Sequence, residues 1–190
     1  MNATQREIQA AAVYEAGKAG GGFDYLRGLA DLISLGVPEY IFRAGRLWPE
    51  FDYVRGLAAL TALGSDKFIH HAGLEWKTFD YQAGLEALLA IGAPRYVFYA
   101  GAYWKQFDFD RGTERLLQIG DCEFLYRAGA LWKRFDHEAA WRILEMRVAT
   151  GERWRGLVFE NTRWRKALAT IWKNRLLTPS GKGGCGMISS

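Results

Sequence analysis

Cysteine, proline, histidine and long apolar runs are all scarce in this sequence. Cys122 and Cys185 are the only cysteines among 190 residues, with no CxxC spacing and no histidine beside either. A disulfide scaffold or a structural zinc module needs clustered ligands, so both are excluded, and a reducing, cytoplasmic setting is expected. No stretch approaches the roughly 18–20 consecutive apolar residues of a membrane span. The opening segment, residues 1–17, lacks the charged-then-apolar order of a secretion signal. No nucleophile elbow or P-loop occurs, and the glycine-rich stretches at 20–22 and 181–186 lack the strand–loop–helix context of a phosphate cradle. No catalytic residue, metal site or cofactor is therefore expected.

Rings and glycines are abundant instead: 8 Trp, 9 Tyr, 11 Phe and 22 Gly. Charge is distributed unevenly. Residues 1–150 carry 17 basic and 19 acidic side chains, whereas residues 151–190 carry 8 basic and 2 acidic ones, so the formal +4 resides at one end.

An internal repeat organises the chain. FDY begins at 23, 51 and 79, FDF at 107 and FDH at 135, each 28 residues after the last. Ala-Gly pairs at 16, 44, 72, 100 and 128 keep the same period, as do Trp48, Trp76, Trp104 and Trp132 and Gly36, Gly64, Gly92 and Gly120. The unit reads as a helical hairpin. Asp52 stands at an N-cap position, with Phe51 before it as a staple. Leu57, Leu60 and Leu63 follow at three-residue spacing, and Gly64 closes the first helix. Pro38 and Pro94 open second helices at the first-turn position, and Ser65 and Asp121 supply cap side chains one position earlier in their own units. Tyr40, Ile41, Ala44, Gly45 and Trp48 form the buried face of the second helix. The regular mid-helix glycines predict close approach of packed helices rather than hinges or a ligand groove.

The expected architecture is an all-α solenoid of about five 28-residue hairpins with terminal caps. Its divisions are a solenoid over 1–150, opened by a half-hairpin, basic Trp-rich capping helices over 151–178, and a flexible tail over 179–190 containing Cys185. In the decaying fifth unit the Trp slot is Glu160, and a last helix is expected over 162–177 behind Asn161 or Thr162.

Read from its second helix, Tyr40-Ile-Phe-Arg-Ala-Gly-Arg-Leu-Trp48 through Asp52 to Gly64, the unit resembles short helical repeats of the pattern YIYxFAxxVxGxDIxxLxxAxIxTG. Such repeats occur in uncharacterised bacterial and phage-encoded proteins. The aromatic opening, Asp52 and Gly64 match in register over residues 12–150, while Trp48 replaces a smaller aliphatic residue and Ala44-Gly45 replaces Phe-Ala. The resemblance implies a structural motif and a phage or mobile-element origin, and it carries no activity.

Candidate contacts fall on two regions. Second-helix positions that vary between units are free to meet a protein partner: Arg43, Arg46, Leu47, His71, Glu75, Tyr99, Tyr103 and Arg127. The basic end, Arg153, Arg155, Arg163, Arg165, Lys166, Lys173 and Arg175, is interleaved with Trp154, Trp164 and Trp172. It suits a capping helix, an acidic partner, a membrane surface or nucleic acid. The leading expectation is a non-catalytic protein–protein interaction scaffold, phage-encoded as a virion component or host-factor inhibitor and placed in the host cytoplasm or the virion. A nucleic-acid-binding protein is the alternative. The aspartate series Asp24, Asp52, Asp80, Asp108 and Asp136 is expected to cap helices rather than bind cations. His70 and His137 occupy slots held by rings in sister units, and His71 an exposed one.

Overall fold

A computed structural model describes residues 1–149 and 154–177, arranged in twelve helices with no strand among the described residues. They are α1 (Ala3–Ala19), α2 (Tyr25–Leu35), α3 (Pro38–Leu47), α4 (Tyr53–Ala62), α5 (Asp66–Glu75) and α6 (Tyr81–Ile91). The series continues with α7 (Pro94–Tyr103), α8 (Phe109–Ile119), α9 (Cys122–Leu131), α10 (His137–Ala149), α11 (Trp154–Glu160) and α12 (Thr162–Leu177). Each 28-residue unit is a hairpin, and successive hairpins pack side by side into an all-α solenoid behind the lone helix α1. Arg153 and the tail at 179–190, with Cys185, lie outside the described residues.

Capping fixes where each helix begins. The carboxylates of Asp24, Asp52, Asp80, Asp108 and Asp136 accept from the amides of Arg27, Arg55, Ala83, Arg111 and Ala139 at 2.9–3.1 Å. Each thereby satisfies one of the amides a helix start leaves unpaired. Gly36, Gly64, Gly92 and Gly120 close the first helices at φ 65°, 62°, 80° and 69°, a left-handed conformation that disfavours any side chain. Asp121 caps α9 as expected, but Ser65 makes no capping bond. Asp66, one residue on, instead accepts from the Lys67 amide at 2.6 Å. Leu63 also departs from expectation: it is the C-cap residue of α4 and lies half out of the core that holds Leu57 and Leu60.

The FDY, Ala-Gly and Trp columns form one recurring lock. Trp48, at the end of α3, donates its indole N–H to the carbonyl of Tyr14 in α1. Trp76, Trp104 and Trp132 do the same to Phe42, His70 and Phe98, at 3.0–3.1 Å and always 34 residues back. The indole lies directly on the glycine of the preceding second helix: Gly17, Gly45, Gly73 and Gly101 in turn. Phe and Tyr of the unit's own FDY close against the other side, as Phe79 and Tyr81 do on Trp104 at 5.2 and 5.7 Å between ring centroids. Phe51 meanwhile crosses the bare backbone of Gly56, a staple whose partner at the fourth helical position is a glycine. The glycines thus seat rings, rather than bringing two backbones together.

The lock also explains the C-terminal end. The slot expected for Trp holds Glu160, yet Trp164 of α12, four residues later, donates to Tyr126 at 2.9 Å and covers Gly129. Asn161 caps α12 through the amides of Arg163 and Trp164 and so sets the ring's entry. Leu157 occupies the next glycine seat, and no atom lies within 4 Å of a side chain built on Gly156. The array therefore ends where its seat is filled by a side chain. Second helices (α1, α3, α5, α7, α9) pack closely in succession, while the first helices (α2, α4, α6, α8, α10) are more loosely apposed. Grooves lie between α4 and α6, between α6 and α8 and between α8 and α10.

Candidate interaction surfaces

The variable second-helix residues all emerge on one row of the solenoid. Their cations are internally neutralised: Arg43 pairs with Glu39 at 2.6 Å, Arg127 with Glu123 at 2.7 Å, and Arg46 with Glu75 of the next unit at 2.9 Å. The same guanidinium groups of Arg43, Arg46 and Arg127 lie over the rings of Tyr40, Phe42 and Phe124. Exposed pairs of this kind stabilise by about 0–1 kcal/mol, but they hold the side chains in place. His71 reaches Glu75 at 3.8 Å and is only partly exposed, against the expectation of a free surface ring. Tyr99 is half-buried beside Tyr103, with ring centroids 6.1 Å apart. The ends of these helices present a stripe of large apolar side chains, Leu47, Leu74, Tyr103 and Leu131, at 41–60% exposure.

A second feature lies on the first-helix row, where sequence reading placed nothing. Between α4 and α6 runs an apolar groove of about 740 Å³, with Leu57, Trp76 and Phe79 as floor and Ala58, Ala62, Ala83, Ala87 and Ala90 as walls. The two following grooves are bridged. Arg111 of α8 reaches back to Glu86 of α6, and Arg134 joins Asp110 at 2.8 Å in the following groove. In the α4–α6 groove the corresponding residues are Ala83 facing Ala58, one unit before Arg111 and Glu86, and Thr78 facing Val54, two units before Arg134 and Asp110, so no side chain spans the gap. The signal was legible as Ala83 in a column that reads Arg27, Arg55 and Arg111 in the other regular units, with Ala139 in the last.

The basic end is described in part. Trp154, Trp164, Leu168 and Ile171 are buried as a lid on the last hairpin, but Trp172, expected on that apolar face, is 42% exposed. Arg163, Arg165, Lys166 and Lys173 are exposed on α12. Arg155 and Arg175 belong to α11 and α12, and their side chains lie outside the described residues.

The remaining candidates are structural. His70 packs in an aromatic cluster with Tyr96, Tyr99 and Trp104, stacked on the last at 15° between planes. Burial, then the neighbouring His71, pushes its pKa down to about 4. His137 takes the role of Tyr81: its Nε2 lies 2.9 Å from the carbonyl of Gly129, as the Tyr81 hydroxyl lies 3.3 Å from that of Gly73. Among the described residues no three His, Cys, Asp or Glu side chains converge to hold a metal ion, and no helix is long and apolar enough to cross a membrane. Fold and surfaces together define an α-solenoid in which constant positions build the stack and variable ones face outward. No protein-family model matches the chain, and no curated protein or solved structure matches it either.

Proposed function

We propose that this chain is a non-catalytic scaffold that binds a protein partner along its second-helix row. The observation that carries the reading is the exposed stripe of Leu47, Leu74, Tyr103 and Leu131, which adds one large apolar side chain per unit to an otherwise ion-paired surface. Neighbouring helices lie about 8–10 Å apart; Leu47, Tyr103 and Leu131 share one repeat position and Leu74 stands one residue before it, so the stripe offers one apolar anchor per unit to an extended or helical partner. The flanking pairs Arg43–Glu39 and Arg127–Glu123 would form the polar rim. The resemblance of the repeat to those of bacterial and phage-encoded proteins favours a virion component or host-factor inhibitor within this reading. The test is affinity capture from the source cells, comparing the wild type with a Leu47→Ser, Tyr103→Ser, Leu131→Ser variant of unchanged helicity. A partner lost with the stripe supports the reading. A partner retained at wild-type yield rejects the stripe as the contact face.

A further inference from the structure

Within the solenoid Arg43, Arg46, Arg111, Arg127, Arg134 and Arg142 each meet a carboxylate. Helix α12 gathers its cations without any such pair among the described residues. Residues 162–177 contain no acidic side chain. Among the described residues, Arg163, Arg165, Lys166 and Lys173 have no acidic partner; Arg163 reaches only the Ala130 carbonyl and Arg165 only the Thr162 hydroxyl, each at 3.4 Å.

Helical periodicity sorts these groups. Trp164, Leu168 and Ile171 are buried on one side of α12. At 100° per residue Lys166 and Lys173 point the opposite way, two turns or about 10.5 Å apart. Arg165 and Trp172 form a parallel pair along one flank at the same spacing. Trp172 rests against Phe159, with centroids 5.9 Å apart, so the half-exposed indole is held rather than free.

The geometry points to single-stranded nucleic acid as the ligand of this face, with phosphates on Arg165, Lys166 and Lys173 and a base stacked on Trp172. A membrane-surface helix needs a free apolar face, and that of α12 is covered by the last hairpin. An acidic protein would use the cations and leave the braced indole without a role. Single-stranded nucleic acid uses both, because cations track its backbone and rings stack on its bases. This surface is distinct from the second-helix stripe, and either can fail without the other.

The test is fluorescence anisotropy of a labelled single-stranded DNA oligonucleotide against the full chain across salt. With roughly three phosphate contacts, affinity should fall about 20-fold between about 50 and 200 mM salt. Lys166→Ala/Lys173→Ala should cut that fall to about threefold and weaken low-salt binding. Trp172→Ala should cost about tenfold in affinity while leaving the salt dependence unchanged. All three positions are exposed, so far-UV spectra and melting temperature should match the wild type, and the stripe variant should bind DNA normally. Absence of binding at about 50 mM salt overturns the proposal. So does indifference to the lysine pair, or competition by polyglutamate as effective as that by unlabelled DNA, which would assign the face to an acidic protein.

Discussion

Trp104 donates its indole N–H to the carbonyl of His70 at 3.0 Å and lies flat on Gly73, the residue three further along the same helix. One side chain thus ties the end of α7 to the middle of α5. Four sister rings do the same along the stack. Cohesion between units therefore rests on one repeated contact with two demands: a donor on the ring and no Cβ beneath it.

The donor can be removed alone. Trp104→Phe keeps an aromatic ring but leaves the His70 carbonyl without its partner and the seat underfilled. A lost buried hydrogen bond costs about 1 kcal/mol and the missing ring volume about 1–2 more. Urea denaturation should show a loss of about 2–3 kcal/mol with an unchanged slope.

The seat gives the complementary case. Ala favours a helix over Gly by about 1 kcal/mol, so Gly→Ala should stabilise wherever space allows. At Gly73 the new Cβ would stand closer than 3.0 Å to three atoms of Trp104, and the ring cannot shift without losing its bond. Gly73→Ala should destabilise by about 2–3 kcal/mol, as overpacking does. Gly156→Ala, with no atom within 4 Å, should instead gain up to about 1 kcal/mol. Opposite signs in paired melts would establish the seat.

Much of this fold is legible in the sequence because a hairpin's signals are local. Asp52 before a leucine stripe, Gly64 after it and Pro38 at a helix start each act within a turn of where they stand. What joins one hairpin to the next is not local. Gly17 meets Trp48 across 31 residues, and the 28-residue phase shows that both columns exist without showing that one covers the other. Phase counting also fails where the array ends, since Trp164 fills the seat from a helix outside the period. The α4–α6 groove was readable only by comparing first-helix columns, whereas variation in the second helix drew attention to Arg43 and Arg127.

His70 should make stability depend on pH. It is 5% exposed, and neither ring nitrogen has a hydrogen-bond partner, although the Tyr99 backbone lies close enough to offset part of the downward shift. The folded chain keeps it neutral down to about pH 4, whereas an unfolded histidine takes up its proton near 6.5. Protons therefore bind the unfolded state first as pH falls. The stabilising contribution is complete above about 6.5 and is lost progressively toward 4, by an amount on the order of 2 kcal/mol. His70→Phe restores the residue type of Phe42 and Phe98 and should flatten that part of the profile. His71 is retained in both proteins, so the difference between the two melting curves isolates His70.

The aspartate column should behave as caps and nothing more. Asp80 Oδ1 accepts from the Ala83 amide at 2.9 Å, a bond that an asparagine side-chain oxygen can also make. Asp80→Asn should stay within about 0.5 kcal/mol of wild type, and Asp80→Ala should lose about 1 kcal/mol. Calcium or magnesium should leave the melting temperature of all three unchanged. A metal-dependent rise abolished by Asp80→Asn would reassign the column to cation binding.

The α4–α6 groove is open because two columns lack the residues that bridge its neighbour. Glu86 and Arg111 span the next groove from positions equivalent to Ala58 and Ala83, 28 residues earlier. Ala58→Glu/Ala83→Arg should therefore rebuild the same pair across about 740 Å³ of apolar space. An exposed pair changes stability by less than about 1 kcal/mol, so the melting temperature should hardly move. Access should change instead. An environment-sensitive apolar dye titrated against the wild type should find this groove, and the double variant should bind it several-fold more weakly. The matching substitution of Glu86 and Arg111 by alanine should have the opposite effect, opening a second groove and raising the number of dyes bound. Equal dye binding by all three proteins would mean that the missing bridge does not control entry to the groove.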